Sequence, residues 1–411
     1  MPAALSHVRI CDFTGQLAGA GATRHLAALG AQVVRIEDPS NQGKWDTLRG
    51  GPPYRDDRRG NELGGAFNNH NVEKLGITLN VKTARGKELL RKLISISDVV
   101  AENFAAGVLE RWGFGFEAMQ KIKSDIIYVS NCGFGHVGPY KTYKSWGSIV
   151  QAVSGLTSLS GLPGMAPAGW GMSYMDHTGG YYQAIAILLA LVHRNRTGQG
   201  QWVDMSCIEA GTCLTGPAIL DYSVNGRHFR RPGNPDSNHS LWPAMAPHNI
   251  YPARSEDSWV AIACRDERDW QAIRAVICAE WTADERFASL DARLANQAAL
   301  DGRMESWTRE RDPFETAELL QKAGVPSSAV QTPRQRIDHD PNTSAWGLWP
   351  TVTHREMGEV RVDGMPVHLS ETDWSIRNGA PCLGQHNEEV YCGILGLSSA
   401  DLKSLKKEGT V

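Results

Sequence analysis

The sequence predicts an α/β protein with a parallel sheet covered on both faces. Three observations carry this expectation. The chain opens on a βαβ unit, strand-like apolar runs then alternate with amphipathic helical segments, and most of the connections are short. Helices that cross between parallel strands must pack on the faces of the sheet, so such an order buries both faces.

The elements follow in chain order. "HVRICDF" reads as a buried strand, "AGATRHLAALGA" as a short helix closed by Gly30, and "QVVRIE" as a second strand. "LGITLNV" continues as a strand, "TARGKELLRKLISIS" as a helix started by Thr83, "DVVAENF" as a strand, "FEAMQKIK" as a helix, and "DIIYVSNCGFG" as a strand running into a glycine turn. From about Gly179 to Arg196 the apolar side chains Ile185, Leu188, Leu189 and Val192 have helical spacing, with Gly198 and Gly200 as the stop. "QWVDMSC" then alternates as a strand. "NGRHFRRPGNPDSNHSLWPAMAPHN" is rich in Pro, Asn, His and Gly without a period, and reads as a linker. A second alternation follows in "SWVAIAC", "ERDWQAIRAVI", "ETAELLQKAGVPSSAV" and "GEVRVDGMPVHL". The C-terminal segment reads as a Gly/Pro loop and two short amphipathic helices. The expected organisation is a large domain over 1–222, rejoined by 336–411, and a linker with a smaller domain over 223–335.

Composition narrows the function classes. Of 411 residues, 41% are hydrophobic and 21% charged, enough for two domains with sizeable cores. A net charge of -3 without blocks of like charge favours neither nucleic acid nor an anionic membrane as partner, so specificity is expected to come from a pocket. The eight cysteines are scattered without a zinc pattern, and reduced thiols in a cytoplasmic protein are expected. The N-terminus lacks a basic region followed by an apolar run, and the apolar stretch Ala184 to Val192 is too short to span a bilayer.

Several chemistries can be weighed on motifs. Gly15, Gly19 and Gly21 follow the first strand and Glu37 ends the second, the outline of a dinucleotide site, but the G-x-x-x-G-x-G spacing departs from the order that brings backbone close to a pyrophosphate. Nicotinamide binding is the weaker reading. A serine hydrolase needs G-x-S-x-G between strand and helix, which is missing. His193, His228, His239 and His248 have no metal-ligand spacing, so no metal is expected. The remaining candidate is Asp176, just before the long helix in "GWGMSYMDHTGGYY". A lone aspartate there is most often a helix cap. Thr178 can take the capping role instead, the surrounding glycines leave the carboxylate uncovered, and a helix N-terminus favours the ionised form that a nucleophile needs.

Eight segments extend this local reading across the chain. "DFTGQLAGAGATRHLAALGAQVVRIE", "LGITLNVKTARGKELLRKLISISDVVAENFAAGVLERWGFG", "YVSNCGFGHVGPY", "QAVSGLTSLSG", "MDHTGGYYQAIAILLALVHRNRTGQGQWVDMS", "APHNIYPA", "LQKAGVPSSAV" and "APCLGQHNEEV" resemble, in register, the blocks of the class III CoA-transferases, the CaiB–BaiF family. That family includes formyl-CoA transferase, carnitine CoA-transferase and the α-methylacyl-CoA racemases. The resemblance implies a large Rossmann-like CoA-binding domain, a smaller α/β domain and an interlocked dimer. It carries the nucleophile's role onto Asp176, with CoA or acyl-CoA as substrate and no permanently bound cofactor.

The family's CoA contacts fall on Gln16, Leu17 and Ala18; on Leu79, Asn80 and Lys82; on Asn103, Phe104 and Ala105; on Arg111; and on Ser145, Trp146, Gly147 and Ser148. Lys82 and Arg111 are the residues expected to meet phosphate or adenine. There are departures: Asp38 and Ala105 stand where many relatives carry basic residues, and a basic pair before the third strand is reduced to Lys74, followed by Leu75.

Within the family the racemase branch is disfavoured. Its histidine–aspartate acid/base pair falls on Trp146 and Gly147, and tryptophan cannot shuttle a proton. His136 and His177 are the reserve acid/base candidates. A non-catalytic subunit paired with a homologous chain is a third reading, opposed by retention of Asp176. Among thirteen tryptophans, Trp146, Trp170 and Trp242 suggest a pocket for an aromatic or branched acceptor acid, with a small donor such as succinyl-CoA.

Overall fold

The computed structural model describes residues 2–171 and 173–411, which form two compact units. The larger comprises Met1–Ser160, Ala168–Ile219 and Asn342–Val411, and the smaller Gly161–Pro167 and Leu220–Pro341.

The larger unit begins β1 (Arg9–Asp12), α1 (Ala18–Ala28), β2 (Gln32–Glu37), α2 (Gly65–His70), β3 (Leu75–Thr78), α3 (Ala84–Ser95) and β4 (Val99–Glu102). It continues α4 (Val108–Trp112), α5 (Phe116–Ile122), β5 (Ile127–Cys132), α6 (Gly147–Val153), α7 (Leu156–Leu159), α8 (Tyr174–Thr197), β6 (Trp202–Ser206) and α9 (Cys207–Cys213). The six strands pair in the order β3-β2-β1-β4-β5-β6, and every pairing is parallel. This is the doubly wound order, in which connections turn opposite ways from β1 and leave a crevice between β1 and β4 at the strands' C-terminal ends.

Successive strand residues feed opposite cores. Val34, Val100 and Tyr128 pack with Leu89, Leu90, Leu93 and Ile94 of α3 and with the C-terminal Val390, Tyr391, Leu402 and Leu405. Their neighbours Val33, Val99 and Ile127 face the other way, onto Ala22 and Leu26 of α1 and Ala184, Ile187 and Leu191 of α8. Both faces are thus covered, which is why these strands read as continuous apolar runs. Helices α1 and α8 approach so closely that a Cβ on Gly180 would come within 2.8 Å of the Ala18 carbonyl oxygen.

The expected local signals act at two helix ends. Thr83 accepts a hydrogen bond from the Gly86 amide to start α3, and Gly198 closes α8 at φ +72°. The start of α8 differs from expectation: it lies at Tyr174, five residues earlier than Gly179, with Ser173 before it in the left-handed region. Thr178 is therefore inside the helix, and its hydroxyl donates back to the Tyr174 carbonyl instead of capping.

After α10 (Pro217–Asn225), the smaller unit forms an antiparallel sheet of β7 (His248–Pro252), β8 (Trp259–Ala263) and, after its helices, β9 (Ser327–Ala329). Its helices are α11 (Glu267–Ile277), α12 (Leu290–Ala295), α13 (Gln297–Thr308) and α14 (Pro313–Lys322). Trp270, Phe287, Leu300, Met304 and Leu320 fill its core. The stretch read as a linker, 225–249, starts on the last residue of α10 and then holds no helix and no strand until β7 begins.

The chain returns to the larger unit through α15 (Pro341–Trp346), the hairpin β10 (Thr351–His354) and β11 (Gly358–Arg361), and α16 (Ser399–Lys407), which a Ser398–Asp401 capping box starts. The first of the two expected C-terminal helices is a π-helical turn, Glu389–Ile394. Gly396, in the left-handed region at φ +71°, follows the turn and ends it.

Candidate active site

The crevice between β1 and β4 is built by two turns that hold each other. After β1, the Asp12 carboxylate accepts from the Thr14 amide (2.9 Å) and hydroxyl (2.6 Å), which turns the chain away from the sheet. After β4, the Asn103 side chain accepts from the Gly15 amide (2.8 Å) and donates to the Gly15 carbonyl (3.0 Å). Asn103 was expected to contact CoA, and in the structure its amide first braces the neighbouring turn.

Beneath these turns lies a buried ion network. Lys74 is fully buried, 3.2 Å from the Asp12 carboxylate, and donates to the Ala20 carbonyl and Asn71 (both 3.0 Å). Arg35 pairs with Asp46 at 2.7 Å, and Arg49 pairs with Glu37 and Glu62. The one member of the family's basic pair that this chain keeps is therefore spent on the fold and does not reach the crevice.

A pocket of about 490 Å³ occupies the crevice. Of the residues singled out from the sequence, Gln16, Leu17, Ala18, Asn103, Phe104, Ala105, Ser145, Trp146, Gly147 and Asp176 line it together. Leu79 and Lys82 line a second cavity, of about 230 Å³, which shares Phe104 with the first. Trp45 and Trp112 stand with Phe104 around it, ring centroids 4.9 and 5.5 Å away. Lys82 is 3.5 Å from Asp38, so the acidic departure at Asp38 partly occupies the cation expected for phosphate.

Asn80, Arg111 and Ser148 line neither of these two cavities. The Asn80 side chain accepts from the Lys82 amide, and Arg111 is exposed with one long hydrogen bond, 3.5 Å, to the Ala106 carbonyl. Trp146 does line the main pocket and is 65% exposed, whereas Trp170 donates to the Leu156 carbonyl and Trp242 belongs to the smaller unit. Among the described residues, no histidine lines the main pocket. His177 packs its ring against His70 at 5.4 Å, and His136 lies against Asp204 and Trp202.

Asp176 sits in the first turn of α8, inside the helix, and is not its N-cap. Its carboxylate rests against the backbone at the start of α6: a Cβ on Gly147 would come within 2.5 Å of Oδ2. Only glycine leaves room for the carboxylate at that place. Burial pushes the Asp176 pKa up, and His177 beside it together with a hydrogen bond from Ser173 pulls it partly back. The sequence suggested that the helix terminus would keep this carboxylate ionised; in the structure desolvation is the larger effect.

Thr47, Leu48, Cys132, Phe134, Lys141, Tyr143, Lys144 and Cys207 also line the pocket and were missed. The signal for several of them was available. In a doubly wound sheet the loops after the strands carry the site, and "CGFGHVGPYKTYKS" directly follows β5.

The model of the family described as CoA-transferase family III matches residues 5–387. The chain belongs to CoA-transferase family III. The transferase is 31% identical to succinyl-CoA–D-citramalate CoA-transferase of Chloroflexus aurantiacus, over all of this chain and 98% of that one. It is 28% identical to succinate–glutarate CoA-transferase of Agrobacterium fabrum, over 99% of this chain and 97% of that one. The crystal structure of a CaiB/BaiF family protein from Brucella suis superposes with a TM-score of 0.84 at 29% identity, covering 96% of this chain and 100% of that one. As a family III CoA-transferase, the enzyme has CoA and acyl-CoA as its substrate chemistry. Among the described residues, no helix is long and apolar enough to cross a membrane.

Proposed function

We propose that this enzyme moves CoA from a small acyl-CoA donor of the succinyl-CoA type to a carboxylic acid acceptor, with Asp176 as the nucleophile. The observation that carries the reading is the position of the Asp176 carboxylate, in the same pocket as most of the residues proposed to hold CoA and backed by Gly147. The Asp176 carboxylate attacks the donor thioester, giving a mixed anhydride and CoA thiolate. The thiolate attacks the aspartyl carbonyl, which releases the donor acid and leaves an aspartyl-CoA thioester. The acceptor carboxylate displaces the thiolate to form a second anhydride, and the thiolate then takes the acceptor's carbonyl, restoring Asp176.

Each step passes through an oxyanion, and backbone amides of a glycine-rich loop or helix start near Asp176 are proposed as its stabilisers. Gln16, Leu17, Ala18, Asn103, Phe104, Ala105, Ser145, Trp146 and Gly147 are proposed as CoA contacts in the main pocket, with Leu79 and Lys82 in the second cavity. Phe134, Tyr143 and Trp146 give the main pocket an aromatic wall suited to an aromatic or branched acceptor. The name of the Chloroflexus aurantiacus relative supports succinyl-CoA as donor, whereas other relatives are named formyl-CoA:oxalate CoA-transferases. A racemase finds no support, because an indole and a glycine replace its acid/base pair.

The dimer expected from the family, of two copies or of this chain with a homologue, is supported by α8. Tyr181, Tyr182, Ile185, Leu189 and Val192 are all exposed along it, an apolar face of the kind that a second chain covers.

A crossed assay of CoA donors against carboxylic acids, run with wild type and Asp176→Ala, tests the reading. Transfer from succinyl-CoA to bulky acids, lost in the variant while CoA binding is retained, is the expected result. Unchanged transfer in Asp176→Ala overturns the nucleophile, and turnover with formate or oxalate alone overturns the substrate assignment.

A further inference from the structure

Cys132, His136 and Asp204 converge on one point at the wall of the main pocket, and the catalytic reading uses none of them. Cys132 ends β5, His136 lies four residues on in the following turn, and Asp204 projects from the neighbouring strand β6. His136 Nδ1 is 3.0 Å from Asp204 Oδ1 and 3.5 Å from Cys132 Sγ, and the three ligand atoms all lie within 4.8 Å of one another. Nδ1 also has the Ser130 hydroxyl at 3.4 Å. One nitrogen, with a single proton or lone pair to offer, is thus ringed by three polar atoms.

We propose that Cys132, His136 and Asp204 form a binding site for a divalent zinc-class ion. The dimensions suit one. Nitrogen and oxygen ligands at about 2.0–2.1 Å and sulfur at about 2.3 Å from a tetrahedral zinc lie roughly 3.3–3.6 Å from each other. The two separations from His136 Nδ1 need only a few tenths of an ångström of adjustment, and the sulfur and the carboxylate, within 4.8 Å of each other, close onto the ion. The charge suits one as well: a thiolate and a carboxylate neutralise a dication, and the imidazole ligates as a neutral group. Binding releases the Cys132 thiol proton and moves the imidazole proton from Nδ1, where it faces the Asp204 carboxylate, to the buried Nε2.

The surroundings hold the three groups in place. The His136 side chain is only 9% exposed, and the edge of its ring meets Trp202 with centroids 5.2 Å apart. Asp204 is fixed by the His136 amide, which donates to both carboxylate oxygens at 3.1 and 3.0 Å. Cys132 also lines the pocket that contains Asp176, so an ion on its sulfur stands at that pocket's wall. Sequence spacing alone concealed the set, because Cys132 and His136 form a short C-x3-H pair whose third member is 68 residues away from His136.

Anaerobic titration of the metal-free, full-length enzyme with Co2+ tests the site. The expected result is one equivalent bound, with a thiolate-to-cobalt charge-transfer band and the strong visible bands of a tetrahedral ion, both abolished by Zn2+. Cys132→Ser removes the charge-transfer band, His136→Gln weakens binding by at least about 10-fold, and Cys207→Ser leaves the spectrum unchanged. Circular dichroism of each metal-free variant shows that it is folded. No charge-transfer band with the wild type, or a band that survives Cys132→Ser, overturns the proposal.

Discussion

Two carboxylates, the buried Asp12 and the half-buried Asp176, meet opposite surroundings. Asp12, at the end of β1, is saturated: Lys74 stands 3.2 Å away, and Thr14 and Thr23 donate to its oxygens. Asp176, in the first turn of α8, has no ion pair among those found in the described residues, a pocket in front of it and a glycine behind. The comparison teaches that burial alone does not make a carboxylate reactive. A partner cation turns it into a structural group, and the lack of one leaves its charge free for chemistry.

The largest expected effect comes from removing the unpaired carboxylate. Asp176→Ala lowers CoA transfer by about 10⁴-fold or more, the scale of nucleophile deletions, and leaves the thermal midpoint near wild type. A steady-state assay beside a melting curve checks both halves. The converse holds for the paired carboxylate: Lys74→Met strands Asp12 and destabilises the fold by about 3–5 kcal/mol in denaturant titration. Equal stability of the variant would remove the contrast between the two sites.

Gly147→Ala pushes a methyl group into the space of the Asp176 carboxylate. It is expected to lower kcat by about 10²-fold, the usual result of displacing a reacting group by an ångström, with the protein still folded. The pH profile sharpens the same point. Because burial raises the Asp176 pKa and only the ionised form attacks, the acid limb of kcat/KM lies above the ordinary aspartate range, and activity is lost as pH falls through it. His177→Gln removes an influence that lowers this pKa and moves the limb higher still. The smallest effect belongs to the exposed pair: Lys82→Met, 3.5 Å from Asp38 and 67% exposed, changes stability by less than about 1 kcal/mol.

Much of the fold was legible because buried parallel strands announce themselves as apolar runs between amphipathic helices. Val33 and Val34, or Val99 and Val100, need apolar side chains on both faces, and that pattern survives without any knowledge of the partners. The start of α8 was misread although Ser173, a residue type that favours helix starts, stands at the true boundary; it enters from the left-handed region without a side-chain cap bond, and the apolar spacing pointed to a later start. The lining of the main pocket was legible after the strand ends, as at Gln16 and Asn103, and at the head of α8, as at Asp176. It was hidden where long-range packing decides: the burial of Lys74 against Asp12, the bracing of Gly15 by Asn103, and the meeting of Cys132 and His136 with Asp204 all depend on residues distant in sequence.

The central claim is that Asp176 itself carries the acyl group and then CoA. Incubating the enzyme with succinyl-CoA and hydroxylamine, digesting it and sequencing the peptides by mass spectrometry reads this directly. The account predicts an aspartyl hydroxamate at Asp176, formed only when the acyl-CoA is present and missing from Asp176→Asn. Turnover of succinyl-CoA without any adduct at Asp176, or an adduct at another carboxylate, would contradict it.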